Sequence, residues 1–260
     1  MSRSRGSVRL ASFHISIDDV FDCLIELVDR GQPVARQPVL GYCEALAAEG
    51  APVDLYVFRS AIVGGRLRRL DEVGPAAAER LAAVPGIRFG PHAEDYATAP
   101  HAQPLDAQRE TMAGLFAAIG RFASARQRSR WLRLHYFSEC YELAPLWRSN
   151  GVETLFTTDK PAIAYRLPEE ARESLRLRGA VDFGGIGFRR SHLRLESFAD
   201  EAADLPRFLA RIDAALADHG FVTLFTHEVD IADPRVRTLA LASVRHLVGM
   251  GAAPVQPFQA

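Results

Sequence analysis

Cysteine is scarce in this chain: Cys23, Cys43 and Cys140 are the three among 260 residues. Scattered thiols of that number exclude a disulfide framework or a structural zinc knot, and free buried thiols are expected. Lysine is scarcer still, Lys160 being the single one among 31 basic residues. An excess of one charge is missing too: 32 acidic residues leave a formal charge of −1. Nucleic-acid and membrane-surface binding draw on clustered positive charge, so neither partner is expected. No run approaches the ~20 apolar residues of a membrane span. Met1 to Leu10 carries arginines but no apolar core of signal-peptide length, so a cytoplasmic location is expected. No serine stands in a Gly-x-Ser-x-Gly elbow. Gly184-Gly185-Ile186-Gly187 lacks the context of a phosphate loop or a dinucleotide fingerprint. Arg121, Arg126, Arg128, Arg130 and Arg133 lack the interleaved aromatics that single strands require and read as a solvated face.

The chain does have the makings of a large core. Hydrophobic residues are 48% and charged residues 24%, an ordinary globular balance. A single domain over residues 1–260 is expected, with 1–7 as a flexible tail. Apolar runs at Val8 to Ile17, Val53 to Phe58, Ile87 to Phe89, Trp131 to Phe137, Val152 to Thr157 and Phe221 to Phe225 predict strands. Helical spacing separates them, as in Met112, Leu115, Phe116, Ile119 and Phe122, or Phe208, Leu209, Ile212 and Leu216. Alternation of this kind gives an α/β fold with parallel strands and outer helices, either a barrel or a wound open sheet.

Polar residues gather where these strands end: Asp18-Asp19, His92, Tyr136, Asp159 and His227-Glu228. In parallel α/β folds the carboxyl ends of the strands line the active site. Two adjacent carboxylates repel unless a cation or proton intervenes, so Asp18-Asp19 suggests a metal site, or else a helix cap. His92 and His135 offer imidazoles suited to zinc or a related ion, against packing roles for each. His227 suits general acid chemistry near neutral pH. Asp159 would orient a histidine or arginine. Arg133 would hold a carboxylate in its guanidinium fork. His14 and His192 have no supporting neighbours and read as structural; His101 reads as a surface residue.

Phe13-His14-Ile15-Ser16-Ile17-Asp18-Asp19-Val20 resembles the first motif of the polysaccharide deacetylase family, T-F-D-D-G. Phe89-Gly90-Pro91-His92-Ala93-Glu94-Asp95-Tyr96 resembles the second, a strand running into H-[ST]-x-x-H. Arg133-Leu134-His135-Tyr136-Phe137 resembles the third, R-P-P-Y-G. Asp159 stands where the fourth offers an Asp, and Leu224-Phe225-Thr226-His227-Glu228 resembles the fifth, L-x-x-H-D. The order and spacing run from Val8 to Glu228.

This resemblance implies a distorted (β/α) barrel and a hydrolase that cleaves an acyl amide on a sugar or related small molecule with water that a divalent metal activates. The metal would be zinc, or nickel, cobalt or manganese. Asp18 would be the base and His227 the acid, with Arg133 and Asp159 positioning them. The Tyr136 backbone N–H would stabilise the oxyanion, and Asp19 and His92 would bind metal. The chain departs from the motifs in several places. Val20 replaces Gly, Tyr96 replaces the second histidine, and both prolines of the third motif are gone, with His135 in place of one. The third ligand is then His135, His101, Glu94 or Asp95. Two rivals remain. One is a metal-free pseudoenzyme that binds a glycan or protein. The other is a glycoside hydrolase on a related barrel, using Asp18 or Asp19 with Glu228. Oligomeric state is not legible.

Overall fold

The first strand begins later, and runs further, than its apolar residues predict. The structure, a computed structural model, describes residues 11–164 and 166–256. The expected tail, and Val8 to Leu10 of the expected first strand, lie outside the described residues. Strand β1 is Ser12–Val20 and is buried along almost its whole length. Such a run, apolar on both faces, is what a parallel strand covered on both sides requires.

Helices α1 (Asp22–Arg30) and α2 (Pro38–Ala48) lead to β2 (Val53–Phe58). A small antiparallel hairpin follows, β3 (Ser60–Val63) with β4 (Arg66–Arg69). The polar Arg66 to Leu70 stretch is thus largely an exposed strand. Helix α3 (Pro75–Ala82), strand β5 (Ile87–Ala93) and helix α4 (Leu105–Phe122) come next. Met112, Leu115, Ile119 and Phe122 form the buried face of α4, as their spacing predicts.

Beyond α4 the chain makes β6 (Trp131–Leu132), α5 (Ala144–Ser149), β7 (Thr154–Thr157), α6 (Glu169–Arg178), β8 (Ala180–Phe183), β9 (Ile186–Arg190) and β10 (Leu193–Arg194). Helix α7 (Leu205–His219), β11 (Phe221–His227), α8 (Pro234–Gly249) and β12 (Ala253–Pro254) complete it. The expected strand Trp131 to Phe137 stops at Leu132. A left-handed backbone at Tyr136 and Phe137, φ 55° at each, breaks it into a turn.

One parallel sheet runs β10-β11-β1-β2-β5, with β12 beside the start of β1. A second runs β6-β7-β9-β8, parallel except for the β8–β9 hairpin. Gly184 and Gly185 turn that hairpin at φ 59° and 81°, conformations that glycine adopts without steric cost. The sheets touch through one bridge, Phe89 to Arg128. The strands are therefore those of an α/β fold with a mostly parallel centre and outer helices, without a continuous ladder around it. Buried side chains of both sheets join one core. Among the described residues no helix is long and apolar enough to cross a membrane.

A polar knot closes the end of the core opposite the strands' carboxyl termini. Asp54 accepts from Arg88 Nε (2.6 Å), Ser129 Oγ (2.7 Å) and Gln256 Nε2 (2.9 Å), and lies 2.8 Å from His14 Nε2. His14 is therefore structural, as its lack of neighbours in sequence suggests. The knot is buried and held by several partners, which is the condition under which buried charge is tolerated. Cys23, Cys43 and Cys140 are buried and free.

Candidate metal and catalytic site

Strict alternation along β1 would send Asp18 and Asp19 to opposite faces. The ladder between β1 and β2 slips between Ile17 and Val20, and Asp19 takes φ 58°. A bulge of this kind re-aims a side chain. It lets two consecutive carboxylates reach the same cavity, which both line. Four non-glycine residues have positive φ among the described residues: Asp19, Tyr136, Phe137 and Cys140. Three of them line that cavity. Backbone strain of about 1–3 kcal/mol per residue is thereby concentrated at one place, as it is at functional sites.

Asp19, His92 and His135 converge. Asp19 Oδ1 lies 2.9 Å from His92 Nε2 and 3.2 Å from His135 Nδ1, and the two ring nitrogens are 3.3 Å apart. The other nitrogen of each ring faces a carbonyl. His92 Nδ1 is 2.7 Å from Arg133 O, and His135 Nε2 is 3.0 Å from Tyr96 O. Carbonyls only accept, so those outer nitrogens carry the protons. Two inner lone pairs then face a carboxylate oxygen that is buried without a hydrogen-bond donor. Three acceptors that close repel unless a cation or extra protons sit among them.

A divalent cation fits this donor set. Zinc bonds of ~2.0–2.2 Å in a tetrahedron place neighbouring donors roughly 3.3–3.6 Å apart, so the 2.9, 3.2 and 3.3 Å separations here need only a few tenths of an ångström of opening. The Arg133 and Tyr96 carbonyls fix ring tautomer and orientation, as around metal-bound histidines. In the absence of a cation, protons on the inner ring nitrogens take its place: burial works to raise the Asp19 pKa, but imidazoles that donate to it outweigh burial and hold the carboxyl well below the usual range. The third position, open in sequence, falls to His135. His101 instead bonds Ser138 Oγ (3.2 Å), Glu94 meets Arg59 (3.4 Å), and Asp95 caps the Ala97 and Thr98 amides.

Beside the triad, Asp18 and Arg133 form a buried pair, 2% and 1% exposed. Arg133 Nη1 donates to Asp18 Oδ1 (3.1 Å) and to Ser16 Oγ (2.7 Å). Its guanidinium also lies 4.0 Å from the Phe225 ring centre. Arg133 is thus part of no solvated basic face, a correction to the charge-run reading.

His227 ends β11. Its Nδ1 lies 2.5 Å from Glu196 Oε1 and 3.6 Å from Asp230 Oδ2. Burial works to lower its pKa, but Glu196 and then Asp18 outweigh it, and the imidazole stays protonated above its ordinary range. Burial likewise opposes ionisation of Glu196, yet the His227 contact pulls it down to about 2. Glu196 follows β10 and belongs to no motif. Its only sequence signal is a place just after a strand. Asp159, expected to orient the acid or the base, instead pairs with Arg190 (3.3 Å) and does not line the cavity. Glu196, His227 and Asp230 form a second convergent group among the described residues.

The cavity over these groups measures about 760 Å³. Tyr136 stands on its wall, 52% exposed, at the left-handed turn. Glu228 also reaches it, but its carboxylate accepts from the backbone N–H groups of Phe21 (2.6 Å), Asp22 (3.1 Å) and Cys23 (2.5 Å). That is the N-terminal turn of α1, where a carboxylate satisfies otherwise unpaired donors.

No protein-family model and no curated protein matches this chain. Among solved structures, the 4-alpha-glucanotransferase from Thermococcus litoralis is similar, with a TM-score of 0.53 at 12% identity. The likeness covers 90% of this chain and 38% of that one, so the chain spans well under half of the transferase. At this identity it concerns the fold, and it agrees with an α/β architecture of barrel type.

Proposed function

We propose that this chain is a metal-dependent hydrolase of polysaccharide deacetylase type on a distorted (β/α) barrel. It cleaves an acyl amide on a sugar or related small molecule. One observation carries the reading: Asp19 Oδ1, His92 Nε2 and His135 Nδ1 meet within 3.3 Å, with both outer ring nitrogens tied to carbonyls. A zinc or related ion held there would supply Lewis acidity toward the scissile carbonyl. Asp18 takes the proton of the attacking water, and Arg133 fixes the carboxylate that receives it. The Tyr136 backbone N–H steadies the developing oxyanion. His227 gives a proton to the leaving amine while Glu196 holds its Nδ1–H.

The test is metal content and acetate release, using chain purified without a polyhistidine tag. Near-stoichiometric zinc, nickel, cobalt or manganese is expected in the parent and lost in Asp19→Ala, His92→Ala and His135→Ala. Acetate should be released from N-acetylated sugars only by the loaded parent. A parent that stays metal-free after reconstitution would replace this reading with a pseudoenzyme that binds a glycan or protein.

A second reading has its own support. The similarity to a glucanotransferase speaks for carbohydrate as the substrate class, and it suits a glycoside hydrolase more directly than a deacetylase. That chemistry needs two carboxyl groups flanking a glycosidic bond. Here Glu228, which that reading pairs with Asp18 or Asp19, is engaged by the start of α1. The side chains therefore favour amide hydrolysis, and products from an acetylated oligosaccharide separate the two: free acetate or shorter chains.

A further inference from the structure

We propose that Tyr96 and Tyr136 form an aromatic platform that stacks against a pyranose ring and so sets the substrate of the site. The proposal rests on the carbohydrate reading above. Large aromatic rings seldom stay in water without a partner, yet Tyr96 is 67% and Tyr136 52% exposed. Both line the cavity. Both also flank one proposed metal ligand: their ring centres lie 5.7 and 4.1 Å from that of His135.

Neighbouring rings leave both tyrosines uncovered: Tyr96 meets Phe58 and Tyr136 meets His101 edge-on, and more than half of each residue stays exposed. Tyr96 helps the triad through its backbone carbonyl, a service that any residue type would supply. Tyr136 holds φ 55°, where glycine would be free of strain and a tyrosine is not. A strained backbone that presents an exposed ring to a cavity points to a ligand.

The chemistry around the rings selects that ligand. A purely apolar chain would meet carboxylates, since Asp22 and Asp230 line the same cavity with Arg194. A pyranose suits both features, with C–H faces for the rings and hydroxyls for the charged rim. The cavity, about 760 Å³, also has far more room than an acyl group needs.

Binding separates this from hydrolysis. Chitotriose, maltotriose and cellotriose would be titrated into chelator-treated parent, Tyr96→Ala, Tyr136→Ala and the two Tyr→Phe variants. Calorimetry gives affinity, saturation-transfer NMR gives the contact face, and circular dichroism checks folding. At least one trisaccharide should bind the parent through its ring C–H protons. Each Ala variant should weaken it about tenfold, ~1.4 kcal/mol, while each Phe variant stays within about twofold. No binding of any trisaccharide at 10 mM, or parental affinity in both folded Ala variants, would overturn the platform. Zinc stoichiometry, measured beside it, reports on the hydrolase separately. Sugar binding by a parent that takes up no zinc on reconstitution would fell the hydrolase and leave the platform. Metal with tyrosine-indifferent binding would do the reverse.

Discussion

Asp18 and His227 are direct partners across the parallel β1–β11 ladder, at the last register position these strands share. The proposed base and acid thus stand side by side on adjacent strands. Each is held by a residue from elsewhere, Asp18 by Arg133 and His227 by Glu196.

The His227–Glu196 contact predicts a pH dependence. Glu196 favours the imidazolium, so the acid stays protonated above its ordinary value of 6.5, and activity should fall as pH rises through the raised pKa. Glu196→Gln removes the anion, and the alkaline limb of kcat/KM should move to lower pH. His227→Ala should lower kcat by about 10²–10⁴-fold, the usual weight of general acid catalysis. A limb unmoved by Glu196→Gln would show that Glu196 does not act on His227. The same contact contributes stability that is full between pH 4.5 and 6.5, lost as pH rises through the raised His227 value and lost as it falls toward the depressed Glu196 value of about 2.

Arg133 is expected to be required for folding as well as for activity. Arg133→Met leaves Asp18 buried without its cation, and breaking a buried pair costs about 3–5 kcal/mol. For a chain of this length that lowers Tm by about 10 °C. The double variant Asp18→Asn, Arg133→Met should regain part of the loss, because no buried charge is then left alone. A single variant melting with the parent would mean that solvent reaches Asp18.

The strands were the legible part of the fold, because parallel strands buried on both faces read as apolar runs. Val53–Phe58 is an instance. Helix α6 was missed because Ala171, Ser174 and Leu175 are the buried residues of its ten, too narrow a stripe to show a period. Asp18, Asp19, His92 and His227 were legible as strand-end residues, Arg133 and His135 as candidates inside an expected strand, and the structure brings all six to one cavity. His135 was legible as a candidate metal ligand with Asp19 and His92, but the way it approaches them was not. It depends on a turn at Tyr136 and Phe137 where no glycine marks the left-handed backbone. Glu196 was hidden for a related reason: it reaches His227 through space from the start of a 3-10 helix 31 residues away.

Glu139 gives a stability test at a residue that has no part in the proposed chemistry and does not line the cavity. It is 1% exposed, and burial pushes its carboxyl up to about 7 against the pull of the Arg166 and Leu167 amides. A carboxyl raised in the fold binds its proton more tightly there than in the unfolded chain. Stability from that difference is full below pH about 4.5 and lost as pH rises through 7. Glu139→Gln should therefore raise Tm at pH 8 and leave it nearly unchanged at pH 5. Equal shifts at both values would show that the charge is not what costs stability.

Glu228 separates the two hydrolytic readings most sharply. Three backbone N–H groups of the Phe21–Cys23 turn bind its carboxylate, so its evident task is to fix the start of α1. Burial raises its pKa against those donors. Glutamine keeps one acceptor oxygen but loses the charge that faces the helix dipole. The expected cost of Glu228→Gln is thus about 1–2 kcal/mol, the range of a helix N-cap. Acetate release should stay within about tenfold of the parent, since Asp18, His227 and the Asp19 triad are untouched. A catalytic carboxylate of a glycoside hydrolase would behave otherwise, because no neighbouring group replaces its proton transfer or nucleophilic attack. Loss of oligosaccharide cleavage by three orders of magnitude, with Tm close to the parent's, would make Glu228 a catalytic residue and favour glycoside hydrolysis. A modest fall in Tm with activity kept would leave it as the cap of α1.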